Sequence, residues 1–308
     1  MPTAVRHVFG PVPSRRLGRS LGIDLVPLKT CSYDCIYCQL GRTTDLTLNR
    51  REYVPLEEVV ADVRQALARR PDYITLSGSG EPTLYSRLGE LIARIKHIAD
   101  IPVAVLTNGS LLWQAEVRRD LAAADVLIPS LDAGDATVFE TVNRPHPAID
   151  FHAMVEGLAC MRREFGGHFW LEVFLLNGYT GLPGQIERLV ELVARIGPER
   201  VQLNTVCRPP AEDYAVGLCA ERMAELAGMF RPAAEVISDF RGIHQAREFA
   251  AGRKDLLALL RRRPCTAGDI ADGLQMHLNA VAKYLEELVV RGEVESRRVA
   301  GLIYYRCR

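Results

Sequence analysis

The segment KTCSYDCIYCQLGRTT, residues 29–44, carries Cys31, Cys35 and Cys38 in a C-x3-C-x2-C spacing directly after the first predicted strand, residues 21–26. Thiolates hold iron–sulfur clusters, and three cysteines in one short loop can each reach a different iron of a cubane. The fourth iron then has no protein ligand and is free to bind the amino and carboxylate groups of a small molecule. The spacing therefore predicts a [4Fe-4S] cluster with one open coordination position.

Two other interpretations of the three cysteines are weaker. A structural zinc site requires four ligands, commonly supplied by C-x2-C pairs, and no partner pair or close histidine follows this segment. The offsets i, i+4 and i+7 also lie on one face of a helix, which is the pattern of small core residues. Three thiols that crowd into eight positions of a chain with no disulfide-type cysteine pattern indicate metal or redox chemistry.

Outward from this loop, short apolar runs alternate with longer segments of helical period, and polar, glycine-rich stretches follow the runs. Six strands with helices between them indicate a parallel sheet with its chemistry at the carboxyl ends of the strands. The predicted class is α/β, a partial (β/α)6 TIM-like barrel over residues 1–240. The predicted strands are 21–26, 72–76, 102–106, 126–130, 169–175 and 200–205, with a last strand at 235–238, and the helices are 56–68, 87–98, 114–122, 151–165 and 182–196.

The end of the chain has a different pattern. After a predicted linker, residues 241–252, residues 253–308 show three helical segments and two strands that form a hairpin, which is the order of a winged-helix domain. This part has eleven basic and seven acidic side chains, a mild positive excess. Glu286 and Glu287 on the third helix oppose phosphates, although Arg297 and Arg298 on the wing favour them. Docking of a substrate or partner is therefore favoured over DNA binding.

The amino-acid composition limits the class of protein to which the chain can belong. Of the 308 residues, 48% are hydrophobic and 25% are charged, with a formal net charge of zero, which is typical of a folded globular protein and not of a nucleic-acid platform. The first residues lack the apolar stretch of a secretory signal, and no apolar run is long enough to cross a membrane. We therefore expect a cytoplasmic protein without membrane contact.

The cysteine spacing in the loop after the first strand of a six-strand βα chain resembles the radical S-adenosylmethionine (SAM) superfamily, over roughly residues 10–240. The resemblance implies that Cys31, Cys35 and Cys38 bind the cluster and that the open iron chelates SAM. It also implies that Tyr37, just before the third cysteine, lies near the adenine of SAM.

Two further motifs extend the resemblance. Ser79, Gly80 and Glu81 precede Pro82 and are similar to the Gly-Gly-Glu-Pro motif that hydrogen-bonds the SAM amino group, with Ser79 in place of the first glycine. Ser130 and Asp132 follow the fourth predicted strand, where similar enzymes place polar groups near the ribose. Asn108, Glu172 and Asn177 lie near other strand ends, and for each polar residue alone an ordinary turn position is the simpler interpretation.

Arginines near the loop are candidates for binding an anion, either a substrate or the SAM carboxylate. A solvated basic loop is the alternative. The leader GPVPSRRLGRSLGIDLVP, together with CQLGRT, SLDAGD, NRPH and RPPAE, most closely resembles radical SAM proteins related to wyosine-forming tRNA enzymes. The candidate arginines are Arg15, Arg16, Arg19, Arg144 and Arg208.

The resemblance implies an enzyme that reductively cleaves SAM to a 5'-deoxyadenosyl radical, which abstracts hydrogen from a substrate. It also implies an electron donor such as flavodoxin or ferredoxin. The substrate is an RNA base, a peptide or a small metabolite, and the sequence does not choose among them. A competing hypothesis is an iron–sulfur redox-responsive regulator that binds DNA. Scattered cysteines without cluster spacing are expected to be idle thiols: Cys160, Cys207, Cys219, Cys265 and Cys307.

Overall fold

A computed structural model describes residues 7–14, 16–237, 253–274, 276, 278–299 and 301–308. The strands are β1 Val8–Ser14, β2 Gly18–Asp24, β3 Thr30–Cys31, β4 Asp45–Leu46, β5 Tyr73–Ser77, β6 Val103–Thr107, β7 Val126–Pro129, β8 His168–Leu175, β9 Arg200–Thr205, β10 Glu235–Val236, β11 Cys265–Thr266, β12 Val294–Val299 and β13 Leu302–Cys307. The helices are α1 Leu56–Ala66, α2 Leu88–Ile98, α3 Ala115–Leu121, α4 Ala136–Val142, α5 Phe151–Glu164, α6 Pro183–Ile196, α7 Ala220–Ala227, α8 Arg253–Leu260, α9 Ala267–Leu274 and α10 Leu278–Val290.

One eight-stranded sheet forms the main body, in the order β1-β2-β5-β6-β7-β8-β9-β10. All neighbours from β2 onward are parallel, and β1 alone runs antiparallel to β2. The six predicted strands are β2 and β5 to β9, and the predicted last strand begins as β10, while residue 238 lies outside the described residues. The predicted α/β class with a parallel sheet is confirmed.

Apolar periodicity explains why helices cover the outer face of the sheet. In α6 the buried residues Ile186, Leu189, Val193 and Ile196 recur on one helical face and pack into the main core. β7 is buried at all four positions, as expected for a strand with apolar neighbours on both faces. Complete burial of one such side chain contributes about 2 kcal/mol, so this layer supplies much of the stability of the fold.

The inner face of the sheet is closed at the amino ends of the strands. A small apolar cluster there includes Leu17, Ile128 and Trp170. Beside it, Arg16 forms an ion pair with Glu172 on β8 and donates a hydrogen bond of 3.1 Å to the Gln202 side chain on β9. The open side of the sheet is therefore at the carboxyl ends of the strands.

Strand β1 was not among the predicted elements. Its sequence VFGPVPS contains two prolines, which cannot donate a ladder hydrogen bond and so argue against a central strand. An edge strand tolerates proline, and the register with β2 is irregular between Phe9 and Val12. The structure places β1 at the edge of the sheet, where its pairing depends on β2 and not on its own pattern.

Residues 253–308 form a separate cluster of three helices, α8, α9 and α10, and a three-stranded sheet in the order β11-β13-β12; we call this part the C-terminal unit. Its core contains Leu256, Leu260, Ile270 and Leu285 and also includes Val12 from β1. The predicted linker, residues 241–252, lies outside the described residues. None of the described helices has the length and apolar character that a bilayer crossing requires.

The C-terminal unit contacts the carboxyl ends of two strands, β2 and β9. Arg262 forms an ion pair with Asp24, the last residue of β2. At the other side, the Tyr304 hydroxyl donates to the backbone carbonyl of Cys207, just after β9, and Arg297 pairs with Asp213 at 2.6 Å. Because β2 and β9 are the first and last of the six long parallel strands, the unit spans the opening that the sheet leaves between them.

Candidate functional site

The cysteine loop is fixed at its base by short hydrogen bonds. Thr30 and Cys31 form β3, which pairs with β4 and so brings the two ends of the loop together. Inside the loop, Asp34 accepts a 2.6 Å bond from the Thr43 backbone N–H. The Cys38 N–H donates to the Cys35 carbonyl at 3.1 Å, which makes a tight turn between the second and third cysteines. The three thiols therefore project from a closed loop above the strand ends.

Each of the three sulfurs accepts an N–H bond from a different segment. Asn108 Nδ2 lies 3.6 Å from Cys31 Sγ, and Asn143 Nδ2 lies 3.5 Å from Cys35 Sγ. The Lys29 ammonium, only 5% exposed, lies 3.1 Å from Cys38 Sγ. The sulfurs thus face one buried cation and two amide donors.

Burial raises the pKa of Cys31 to about 12 and the pKa of Cys35 well above its usual value. Thiolates are therefore unfavourable here unless a metal neutralises their charge, because negative sulfur is poorly solvated in the buried loop. The N–H donors around Cys31, Cys35 and Cys38 suit sulfurs that carry charge as metal ligands. The donor set fits an iron–sulfur cluster.

Across the residues that the structure describes, no group of three or more His, Cys, Asp or Glu side chains is arranged to hold one metal ion. Ligands of a cubane bind separate irons, and so they are spread apart and do not converge on one point.

The Ser79-Gly80-Glu81 segment follows β5 and lies against the start of the cysteine loop. The Ser79 carbonyl accepts a 2.6 Å bond from the Lys29 N–H, and the Glu81 N–H donates to the Thr30 carbonyl at 3.1 Å. A Cβ atom on Gly80 would lie 1.9 Å from the Thr30 carbonyl oxygen, so only glycine fits. The two predicted motifs are therefore brought together by direct backbone contact.

The Glu81 carboxylate is 2% exposed and is used within the protein. It accepts bonds from the Thr83 N–H at 3.0 Å, from the Thr83 and Thr107 hydroxyls at 2.6 Å each, and from the Asn108 N–H at 2.8 Å. Burial raises its pKa, and these bonds oppose that rise. Glu81 thus joins the ends of β5 and β6 and positions Asn108, which faces the Cys31 sulfur.

Asp132 lies under the cysteine loop. Its carboxylate accepts bonds from the Tyr37 hydroxyl, from Asn143 Nδ2 at 2.8 Å and from the Phe174 N–H at 3.1 Å. Burial raises the pKa of Asp132 to about 6, against the lowering effect of these bonds. The Tyr37 ring stacks on Phe174 with centroids 3.9 Å apart. Ser130 lies at the end of β7, bridged to Glu172 on β8.

The candidate arginines fall into two groups. Arg144 pairs with Glu212 at 2.8 Å, and Arg208 is buried and donates to the Gln39 side chain at 3.2 Å, so both lie beside the cysteine loop. Arg16 is held in the barrel by Glu172, and Arg19 donates to the backbone of residue 69 near the amino end of β2. Arg15 lies outside the described residues.

Asn177 is exposed at the end of β8, and its N–H donates to the Val216 carbonyl at 2.8 Å.

The five scattered cysteines form no disulfide; Cys265 is buried in the core of the C-terminal unit, whereas Cys219 is exposed.

Sequence reasoning missed two residues that contact the sulfurs, Lys29 and Asn143. Lys29 stands two positions before Cys31, and its backbone adopts the left-handed region with φ of 63°, which is unfavourable for a residue with a side chain. Asn143 is part of the NRPH segment, in which Arg144 was the predicted site residue. A polar residue directly beside a recognised motif was the available signal in both cases.

Comparison with known proteins agrees with this geometry. Residues 25–202 match the family model of the radical SAM superfamily. The chain is 31% identical to a UPF0026 protein of Methanocaldococcus jannaschii, over 96% of this chain and 94% of that protein. It is 40% identical over 97% of its length to a protein named GTPase Obg from Brachyspira hyodysenteriae, of which it spans only 45%.

Among solved structures, a radical SAM methyltransferase from Sphaerobacter thermophilus superposes with a TM-score of 0.53 at 19% identity, over 70% of this chain and 66% of that one. This likeness concerns the fold. The family model covers more than half of the chain, including the three cysteines and the Ser79-Gly80-Glu81 segment. The chain therefore belongs to the radical SAM superfamily, whose members are enzymes that use a [4Fe-4S] cluster and S-adenosylmethionine.

Proposed function

We propose that Cys31, Cys35 and Cys38 hold the [4Fe-4S] cluster of this enzyme and that the Ser79-Gly80-Glu81 segment contacts SAM bound at the open iron. Bound there, the cluster would supply the one electron that reductive cleavage of SAM needs, giving methionine and a 5'-deoxyadenosyl radical that would abstract hydrogen from the substrate. The observation that carries the ligand assignment is that each of the three sulfurs of the loop accepts a hydrogen bond from a different residue: Cys31 from Asn108, Cys35 from Asn143 and Cys38 from Lys29.

The residues around the loop have separable tasks in this proposal. Lys29 stabilises negative charge on the sulfurs, since its ammonium is buried against Cys38. Asp132 orients Tyr37 by accepting its hydroxyl, with Phe174 stacked beneath the ring, and this fixes the side of the loop that would lie near adenine. Both Asp132 oxygens already accept bonds from the protein, so Ser130 is the better candidate of the pair for contact with the ribose.

The substrate would bind at the carboxyl ends of the strands, above the apolar cluster that closes the other end. Polar groups face that space at the level of Ser130: Glu172, held by Arg16, and Asn204, whose amide donates to Glu172 at 3.1 Å. Such a lining suits a polar, hydrogen-bonding substrate. An RNA base, a peptide or a small metabolite meets that description. The sequence motifs CQLGRT, SLDAGD, NRPH and RPPAE favour a relationship to the wyosine-forming tRNA enzymes.

We further propose that residues 253–308 are a winged-helix domain that follows a barrel domain, residues 1–240, and a linker. Its element order is helix, short strand, two helices and a two-stranded wing, with α8 and α9 packed on β1. The third helix, α10, exposes Lys283, Glu286 and Val290, a mixed surface that suits a protein or substrate partner better than phosphates. Flavodoxin or ferredoxin is the proposed electron donor, and the cytoplasm is the proposed location.

The test is reductive SAM cleavage by anaerobically reconstituted protein. With dithionite and SAM, the wild type should release 5'-deoxyadenosine, measured by mass spectrometry, and show the visible absorption of the cluster. Replacing any one of Cys31, Cys35 and Cys38 by Ala should abolish both signals, because three protein ligands are needed to hold the cube.

Cys160→Ala is the matched control, since Cys160 lies on α5, where its thiol hydrogen-bonds Glu156 and accepts from Arg163, and it should behave as wild type. Retention of cluster and cleavage in a Cys35→Ala variant would contradict the ligand assignment. An intact cluster without any 5'-deoxyadenosine, combined with salt-dependent binding to a specific DNA, would instead favour the redox-responsive regulator.

A further inference from the structure

An ion pair connects the C-terminal unit to the end of β2. Arg262 follows α8, and its guanidinium Nη2 contacts Asp24 Oδ2. The side chains of Arg262 and Asp24 are only 17% and 16% exposed, and the guanidinium also lies 3.8 Å from the centroid of the Phe9 ring on β1. A charge pair with so little exposure is costly to break from one side, because the remaining charge is left without its partner.

The second oxygen of Asp24 is used by the candidate SAM-binding segment. The Ser79 hydroxyl donates to Asp24 Oδ1 at 3.0 Å. The neighbouring Gly78 has φ of +100°, and a Cβ atom there would lie 2.1 Å from the same oxygen. The Asp24 carboxylate therefore fills the space directly beside this segment, with one oxygen on Ser79 and the other on Arg262.

The chain of contacts continues into the cysteine loop. The Ser79 carbonyl accepts the 2.6 Å bond from Lys29, whose ammonium reaches Cys38. Arg262 itself is held in place because Leu256, Leu259 and Leu260 of α8 are buried together with Val12 of β1. Arg262 of the C-terminal unit is thus connected to the cysteine loop by successive polar contacts through Asp24 and Ser79.

We propose that Arg262 of the C-terminal unit is a positioning residue of the SAM site, which holds Asp24 against Ser79 and so sets the affinity of the enzyme for SAM. The inference rests on the proposed function, in which the Ser79-Gly80-Glu81 segment contacts SAM. It makes the C-terminal unit a structural part of the cofactor site as well as a candidate docking module.

The experiment measures SAM binding by the full-length, cluster-loaded protein, by equilibrium dialysis and by the change that SAM causes in the electron paramagnetic resonance (EPR) spectrum of the reduced cluster. Arg262→Ala should weaken SAM binding about tenfold or more, with unchanged cluster absorbance. Arg262→Lys should restore part of the affinity, because it keeps the charge beside Asp24. A purely structural role of Arg262 would not produce this rescue together with an unchanged cluster.

Arg297→Ala is the matched control. Arg297 also joins the C-terminal unit to the barrel through an ion pair, with Asp213 at 2.6 Å, but the two side chains are 59% and 79% exposed and do not reach the Ser79 segment. Its SAM affinity should stay within about twofold of wild type, as expected for a solvent-exposed pair.

Wild-type SAM affinity in Arg262→Ala would overturn the inference and leave the proposed function intact. Failure of the wild type itself to bind SAM would instead overturn the proposed function. If Arg262→Ala does not fold, Asp24→Asn decides: it keeps the size of the side chain, removes the charge that pairs with Arg262, and should weaken SAM binding in the same direction. An Asp24→Asn protein with unchanged affinity would equally overturn the inference.

Discussion

The Lys29 ammonium should raise the reduction potential of the cluster, and Lys29→Met should lower it. The ammonium lies 3.1 Å from Cys38 Sγ, so a cluster held by that sulfur would experience its charge from about 6 Å. A unit charge at this distance, with an effective dielectric constant of about 20, favours the added electron by about 3 kcal/mol, or roughly 120 mV for a one-electron couple. Methionine is unbranched and only one atom shorter than lysine, and it removes the positive charge together with the N–H donors.

The assay is a redox titration of the reconstituted protein followed by the EPR signal of the reduced cluster. Lys29→Met should titrate about 100 mV below wild type, and Lys29→Arg should stay close to wild type because it keeps the positive charge. Lys96→Met serves as the control, since Lys96 is exposed and pairs with Asp125 on the outside of the barrel. A Lys29→Met potential equal to that of wild type would refute the electrostatic role of Lys29.

Two further predictions concern the framework of the site. Gly80→Ala forces a Cβ to within 1.9 Å of the Thr30 carbonyl oxygen and should lower the free energy of unfolding by about 2 kcal/mol in urea titrations. Gly184→Ala, in the open first turn of α6, should not destabilise the protein. Equal stability of the two variants would be inconsistent with the close contact at Gly80. Burial raises the pKa of Asp132 in the folded protein to about 6, above its usual 3.8, so the folded protein takes up a proton before the unfolded chain does as the pH falls. The free energy of unfolding of wild type should therefore increase by about 1 kcal/mol relative to that of Asp132→Asn between about pH 7.5 and about pH 5. A difference between the two proteins that does not change with pH would contradict this.

The sequence alone was sufficient for the parallel part of the sheet because its strands are short, continuous apolar runs. β7, for example, consists of four buried residues between two helical segments. The same was true of the cysteine loop and the Ser79 segment, where residue type and spacing carry the chemistry. The helices α1, α2, α3, α5 and α6 begin and end within two residues of their predicted bounds.

Other features could not be predicted because they depend on tertiary contacts. The strand β1 contains two prolines and gains its order from β2 and from the C-terminal unit. The short helix α4 begins at a cap, where Asp135 accepts a 2.9 Å bond from the Val138 N–H, but it is only seven residues long and has little period to detect. The contact of Asn143 with the Cys35 sulfur joins residues 108 positions apart, and no local pattern encodes it.

The edge position of β1 also bears on how the protein can be divided. The C-terminal unit covers Phe9 and Val12, which lie on the outermost strand of the sheet. A fragment that stops before residue 253 keeps all three cysteines of the loop, yet it uncovers these apolar side chains along a strand edge, a combination that promotes self-association. Iron incorporation into such a fragment would then be measured on an aggregating sample, and light scattering needs to accompany any absorbance reading taken from it.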